Sequence, residues 1–379
     1  MNEHARQIAG PEVDRFRQVA LATGLAALGI CGIAAVGNPA QFFHSYLLAF
    51  LFWGGISLGS LGLAMLHQLT GGEWGVVIRG PVESAARTLP LIGALSLPVL
   101  LGAGWIYSWA AGGDLPPEQQ QYFGIGFVIL RTAAYFLIWA GLISLLSKST
   151  RESKPDGRAR SGRAFSGPAL LLWGVTATFA GVDWIMALEP GWYSTIVGLM
   201  FIAGILVAAL SFSIVAVGLG ALSRADELAP DRWHDLGKLL LTFVMLWAYL
   251  AFSQLLIIWA ENLPEEIPYY VRRLTGGWLW LGVALVVFHF AVPFFLLLSR
   301  EIKRSAKALT GLAALVVTMR AADLFWHTGP ALSPDSFHVH WMDFALPLGV
   351  GGLWIAYFSR QLGRHANTPQ VRVQAETGS

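Results

Sequence analysis

The chain is 379 residues long, 55% hydrophobic and only 13% charged, with 16 tryptophans and a formal net charge of +2; soluble domains carry about 25% charged residues. That balance excludes a soluble globular enzyme and offers no basic surface for nucleic acid. The single cysteine, Cys31, excludes an intrachain disulfide, a thiolate-held iron–sulfur cluster and a CxxCH haem attachment.

A hydrocarbon core of roughly 30 Å takes about 20 apolar helical residues. Ten such runs follow in order, at 19–36, 43–66, 86–109, 122–146, 169–188, 194–222, 236–260, 277–298, 308–326 and 341–359. The reading is an all-α integral membrane protein with ten transmembrane helices in a single membrane domain over 1–379. The polar residues 1–18 form an N-terminal tail. The first run is too long for a signal peptide and lacks a small-residue cleavage site, so it reads as a retained anchor.

In the second run, GISLGSLGLA sets Gly55, Gly59 and Gly62 on adjacent helix faces, a pattern explained by close helix packing. The longest polar stretch, 147–167 (SKSTRESKPDGRARSGRAFSG), is rich in Ser, Gly and Arg and reads as a flexible loop, and 362–379 as a C-terminal tail. Ten spans place both termini on one side. Nearly all lysines and arginines fall in loops on that side, two of them after the second run. The opposite loops hold only Arg272 and Arg273. Basic loops face the cytoplasm, so both termini are expected there, in a bacterial inner membrane.

Ionisable residues inside lipid are expensive and mark functional pathways or structural pairs. Arg320, Asp323 and His327 in LVVTMRAADLFWH lie on one face of the ninth helix. With His289 in FHF of the eighth run, Glu261 at the end of the seventh and Asp343 at the start of the tenth, they are candidate proton-transfer groups. His44, Arg131, Tyr135 and Asp183 form a second candidate set, lining a possible quinone pocket. A structural ion pair accounts for Arg320 with Asp323 almost as well, and interfacial placement for His44, Glu189, Glu261, His338 and His340. His289 is alone in its span, and GPALSPDS separates His327 from His340, so the histidines form no haem ladder. No metal site is expected on this chain.

FFHSYLLAFLFWGGISLGSLGLAMLHQLTGGEWG from Phe42, RTLP from Arg87, GVDWIMALEPGWYSTIVGL from Gly181, LWAYLAFSQLLIIWAENLPEEIP from Leu246 and FHVHWMDFALP from Phe337 together carry a resemblance. They resemble the second NrfD-like (polysulfide-reductase membrane-subunit family) integral membrane subunit of bacterial alternative complex III. The resemblance runs in order through nearly all ten spans. It implies two four-helix bundles, from spans two to five and six to nine, with two peripheral helices. It also implies a place in a quinol:electron-acceptor oxidoreductase with quinol as the substrate of the complex. The implied partners are a sister NrfD-like membrane subunit, a multihaem cytochrome c, an iron–sulfur subunit, a monohaem cytochrome c and small membrane subunits. Haem c and iron–sulfur clusters belong to those partners, and this chain binds no cofactor. The family's clean quinol site is associated with the sister subunit, so its residues are not carried over. A cofactor-free subunit that scaffolds the complex and conducts protons is the expectation. A direct quinol-binding subunit and a secondary transporter are the alternatives.

Overall fold

The computed structural model describes residues 11–151, 160–222 and 228–366. Among the described residues the chain is helical throughout, with no strand. Ten helices are long and apolar enough to cross a membrane: Asp14–Ala34, Pro39–Thr70, Glu73–Leu101, Ile125–Lys148, Phe165–Leu188, Val197–Gly220, Pro230–Glu261, Trp278–Leu298, Ala306–Leu332 and Met342–Arg364, here spans one to ten. The end of the molecule bearing the two chain termini is called the terminal end, and the opposite one the distal end.

Spans two to five pack as one group of four and spans six to nine as another, with spans two and six at the centre of the contact between the groups. Spans one and ten lie together against spans two and three. Within lipid, apolar side chains gain little by leaving their surroundings, so close backbone approach must hold the helices together. Span two shows how. A Cβ at Gly59 would lie 2.1 Å from the Ile205 carbonyl oxygen of span six, and one at Gly62 would lie 2.5 Å from the Trp173 ring of span five. Span one meets span ten in the same way, glycine on glycine, at Gly24, Gly349 and Gly352.

Span two begins at an Asn38 cap, whose side chain accepts from the Gln41 amide at 3.2 Å, with Pro39 in the first turn. It ends at Gly71, whose φ of 75° lets the chain reverse at once. That reversal moves span three to Glu73–Leu101, well before the expected 86–109. Arg79 therefore sits within a helix and not in a loop, and Arg87 caps that helix at a break inside the span. The physical reason is Glu83, one turn from each, which accepts from Arg79 Nε at 2.9 Å and from Arg87 Nη2 at 3.3 Å. Paired charges on one helix face lower the cost of placing any of them in an apolar setting. Span three is also broken after Ala86 and after Leu95.

Of the stretch expected to be a loop, 147–151 continues the helix of span four and 160–167 opens that of span five, while 152–159 lies outside the described residues. The expected tails are likewise partly helical. One helix starts at Pro11 and another runs to Ala366, and residues 1–10 and 367–379 lie outside the description. Span eight contains a π-helical turn, Leu285–Ala291, followed by Pro293. Proline removes an amide and crowds the carbonyl four residues back, here that of His289, and a π turn makes the room.

Candidate functional site

Each group of four carries a buried carboxylate in its distal half. In the first group it is Asp183, at the end of span five, 1% exposed. Arg131 Nε donates to its Oδ2 at 3.0 Å and Nη2 to its Oδ1 at 2.8 Å, while Tyr135 Oη donates to Oδ2 at 2.8 Å. The guanidinium also donates to the Tyr122 carbonyl at 2.8 Å and lies 3.8 Å over the Tyr122 ring. Arg131 and Tyr135 stand one turn apart on span four, so both donors reach the same carboxylate. The cavity beside it, lined by Ser96, Tyr107, Thr132 and Asp183 among apolar residues, has room for roughly one water molecule.

In the second group it is Asp323 of span nine, 2% exposed. Arg320, one turn away on the same helix, donates to its Oδ2. The guanidinium fits against span six only because position 204 is glycine; a Cβ there would lie 2.3 Å from the Arg320 guanidinium carbon. His327 follows one further turn along, with Nε2 3.7 Å from Asp323 Oδ1. That gap is beyond a hydrogen bond and small enough for a water or a modest movement to close. On its other side His327 Nδ1 lies 2.7 Å from Tyr269 Oη. Burial, only partly opposed by the charge of Arg273, pushes the Tyr269 hydroxyl above the usual phenol range, so it keeps a proton that it can donate to Nδ1 in one of the two ring tautomers. In that tautomer the neutral His327 ring carries its proton on Nε2, toward Asp323.

Tyr269 belongs to the short helix Ile267–Leu274 between spans seven and eight, which also supplies Arg272 and Arg273. Arg273 is 1% exposed, donates to the carbonyls of Tyr269 and His327 at 2.8 Å each, and lies 3.5 Å over the Tyr269 ring. Its Nη1 is also 2.7 Å from Glu189 Oε1, a close ion pair. Arg272 donates to the other oxygen of Glu189 at 3.1 Å. Glu189 sits just past span five, in the first group, so this cluster ties the two groups together. The Trp192 and Tyr269 rings stack across the same junction, centroids 3.8 Å apart.

The candidate residues divide unevenly between these clusters. Arg320, Asp323 and His327 are together as their spacing predicts. His289 is buried on the π turn of span eight, edge-on to Trp247 with ring centroids 4.2 Å apart and neither ring nitrogen bonded. Glu261 is exposed at the end of span seven, apart from them. Arg131, Tyr135 and Asp183 are together, but His44 is not with them: its Nε2 is 3.1 Å from the Trp105 carbonyl oxygen. It lines a different cavity, with Gln41, Thr328, His338 and Asp343. Asp343 belongs there too, accepting from Gln41 at 3.0 Å, from Ser45 at 2.5 Å and from the His340 amide at 2.8 Å. Glu189, expected to reach water at the interface, is 6% exposed and paired. Among the described residues, no three His, Cys, Asp or Glu side chains are grouped to hold a metal ion.

These features define a polytopic helical membrane protein with two buried charge clusters joined at its distal end. No protein-family model matches the chain. Over 295 residues it is 25% identical to a putative dimethyl sulfoxide reductase membrane subunit of Halobacterium salinarum, a match covering 72% of this chain. The chain spans 65% of the length of that curated relative.

Proposed function

We propose that the chain is a membrane subunit of a quinol-linked redox complex of the alternative complex III type, which scaffolds the complex and conducts protons through its second group of spans. The similarity to a reductase membrane subunit supports the redox-complex part, and the sequence resemblance the particular type. In this reading both termini face the cytoplasm of a bacterial inner membrane, and metal-bearing subunits dock at the distal end.

The observation that carries the proton route is the contact of Tyr269 with His327 and the approach of His327 to Asp323, which leads from the distal helix toward the middle of span nine. Its weakest link is the 3.7 Å gap between His327 and Asp323. Tyr269 and Arg273 orient His327, and Arg320 holds the Asp323 carboxylate from the same helix, so proton exchange across that gap is the chemistry the geometry offers. A quinone site in the first group is the weaker reading. Asp183 already holds three donors from Arg131 and Tyr135, and a head group would have to compete with them to bind it.

Two experiments test the proposal. Mild-detergent purification from native membranes, with haem staining and mass identification, is expected to bring c-type haem and a large iron–sulfur protein with the chain; a lone colourless protein refutes the complex. In the intact complex, Asp323→Asn is expected to lower proton release per quinol oxidised to the two protons that the oxidation itself yields. Unchanged release with the complex intact makes the pair purely structural.

A further inference from the structure

The clusters described so far lie in the distal half. One buried carboxylate does not. Glu83 sits roughly 15 Å along the span-three helix from Glu73, measured from the terminal end. Its side chain is 7% exposed, whereas those of its partners Arg79 and Arg87 are 32% and 26% exposed. The carboxylate is thus reached from the terminal end past Arg79, with Arg87 one turn further in. His67 of span two is near enough to feel the charges of both Arg79 and Glu83.

Inward of Glu83 the lining stays polar. Spans two and three run antiparallel, and their register is set by Ser57 Oγ and Thr88 Oγ1, 2.6 Å apart and buried. Trp354 Nε1 of span ten donates to Ser57 at 2.8 Å. One turn toward the terminal end from that bond brings Ser60 on span two and Ser84 on span three to the same level, Ser84 being the residue that follows Glu83. Both serines are fully buried and neither hydroxyl has a partner. A buried hydroxyl left unbonded is costly, and buried water is the usual remedy. Helix packing alone asks for small residues here and is indifferent to hydroxyls; alanine would serve it better.

We propose that Glu83 is a proton-loading carboxylate at the terminal end of the first group, passing protons to water held by Ser60 and Ser84 and on to the Ser57–Thr88 pair near mid-membrane. This rests on the reading that the chain conducts protons, and adds an entry on the side opposite the Asp323 route. The arginines draw the deprotonated form back after each transfer; only a proton moves, and no bond other than O–H is made or broken.

The test uses the full chain in lipid vesicles. Dicyclohexylcarbodiimide, an apolar reagent that modifies protonated carboxyl groups within membranes, is added across a pH series and the peptides are read by mass spectrometry. Modification of Glu83 rising as pH falls, and absent in Glu83→Gln, is expected; an unmodified Glu83 at every pH makes it a permanent ion pair and overturns the proposal. Proton flux under an imposed potassium diffusion potential, followed with a pH-sensitive dye, is expected to fall at least tenfold in Glu83→Gln and to recover in part in Glu83→Asp. Native-like flux in Glu83→Gln while Asp323→Asn is blocked overturns the Glu83 proposal alone. Native flux no greater than that of protein-free vesicles overturns the conduction reading, and the Glu83 role falls with it. Unchanged helicity and gel-filtration elution of each variant exclude misfolding as the cause.

Discussion

Gly204 offers a sharp test of how the second cluster is held. A Cβ at this position would lie 2.3 Å from the Arg320 guanidinium carbon and 2.5 Å from each terminal nitrogen, whereas ordinary contact begins at 3.4 Å. Gly204→Ala therefore forces the guanidinium back by about 1 Å. Full rupture of a buried pair costs about 3–5 kcal/mol, but a guanidinium can tilt without leaving its carboxylate. The overpacking range of about 1–3 kcal/mol is the expected loss. The assay is reversible unfolding in mixed micelles as denaturing detergent is titrated in, run as a double-mutant cycle. The reference background is Arg320→Met with Asp323→Leu, which removes both charges and puts a flexible apolar chain against span six. There Gly204→Ala should cost less than about 0.5 kcal/mol, since uncoupled sites add to that tolerance. Equal costs in the two backgrounds refute the claim that glycine is required at 204 to seat Arg320.

Further outcomes follow from the same geometry. Arg273→Ala leaves Glu189 with only the half-exposed Arg272 and releases two carbonyls, so a loss of about 3–5 kcal/mol in the same unfolding assay is expected; Arg272→Ala, at a side chain 46% exposed, should cost less than about 1 kcal/mol. Tyr135→Phe removes one of three donors to Asp183 and should cost about 1–3 kcal/mol, read in that assay against a Tyr249→Phe control on the exposed face of span seven. Glu266, on the loop before the short helix, has its carboxyl pushed above the usual carboxylate range, first by burial and then by the charges of Glu261 and Glu265. Its folded-state pKa is raised, so its ionisation opposes folding above that pKa and the opposition fades as pH falls through it. Glu266→Gln should therefore stabilise the protein at neutral pH, with the gain vanishing in acid.

The ten spans were legible because runs of about 20 apolar residues have few other destinations, and the Arg320, Asp323 and His327 face because helical spacing places them without any knowledge of neighbours. What lay beyond the sequence depended on pairing. Arg79 and Arg87 look like loop residues until Glu83 is seen to hold both, and the register of span three is misjudged by about a dozen residues as a result. Arg273 looks like a surface charge in a distal loop, yet it is among the most buried side chains in the molecule. A signal for it was present in IPYYVRRL, where Tyr269 and Arg273 fall one turn apart on one face. The partner, Glu189, is more than eighty residues earlier in the chain, and no local pattern joins them. His44 and Asp183 share a depth and a group of spans, but neither says which helix a side chain turns toward.

Asp183 and Asp323 differ in a way that bears on which can change state. Asp183 takes three donors from Arg131 and Tyr135, on a separate span, so loss of its charge would strand both at once and the arrangement is self-locking. Asp323 takes its hydrogen bond from a neighbour on its own helix, and faces a histidine that falls short of bonding distance. A partly satisfied network in low dielectric is where a small displacement has the largest effect. That displacement has a source: Arg273 grips the backbone carbonyl of His327 with one nitrogen while facing Glu189 of the other group with another. Any shift of the first group against the second therefore acts on the position of His327, and through it on the 3.7 Å gap to Asp323. Glu189→Gln, which keeps the shape but weakens that grip, should thus alter proton transfer at Asp323 from a residue that never touches it. A proton-release ratio that stays native in Glu189→Gln, with Asp323→Asn blocked, would show that the groups are joined at their distal end without being coupled.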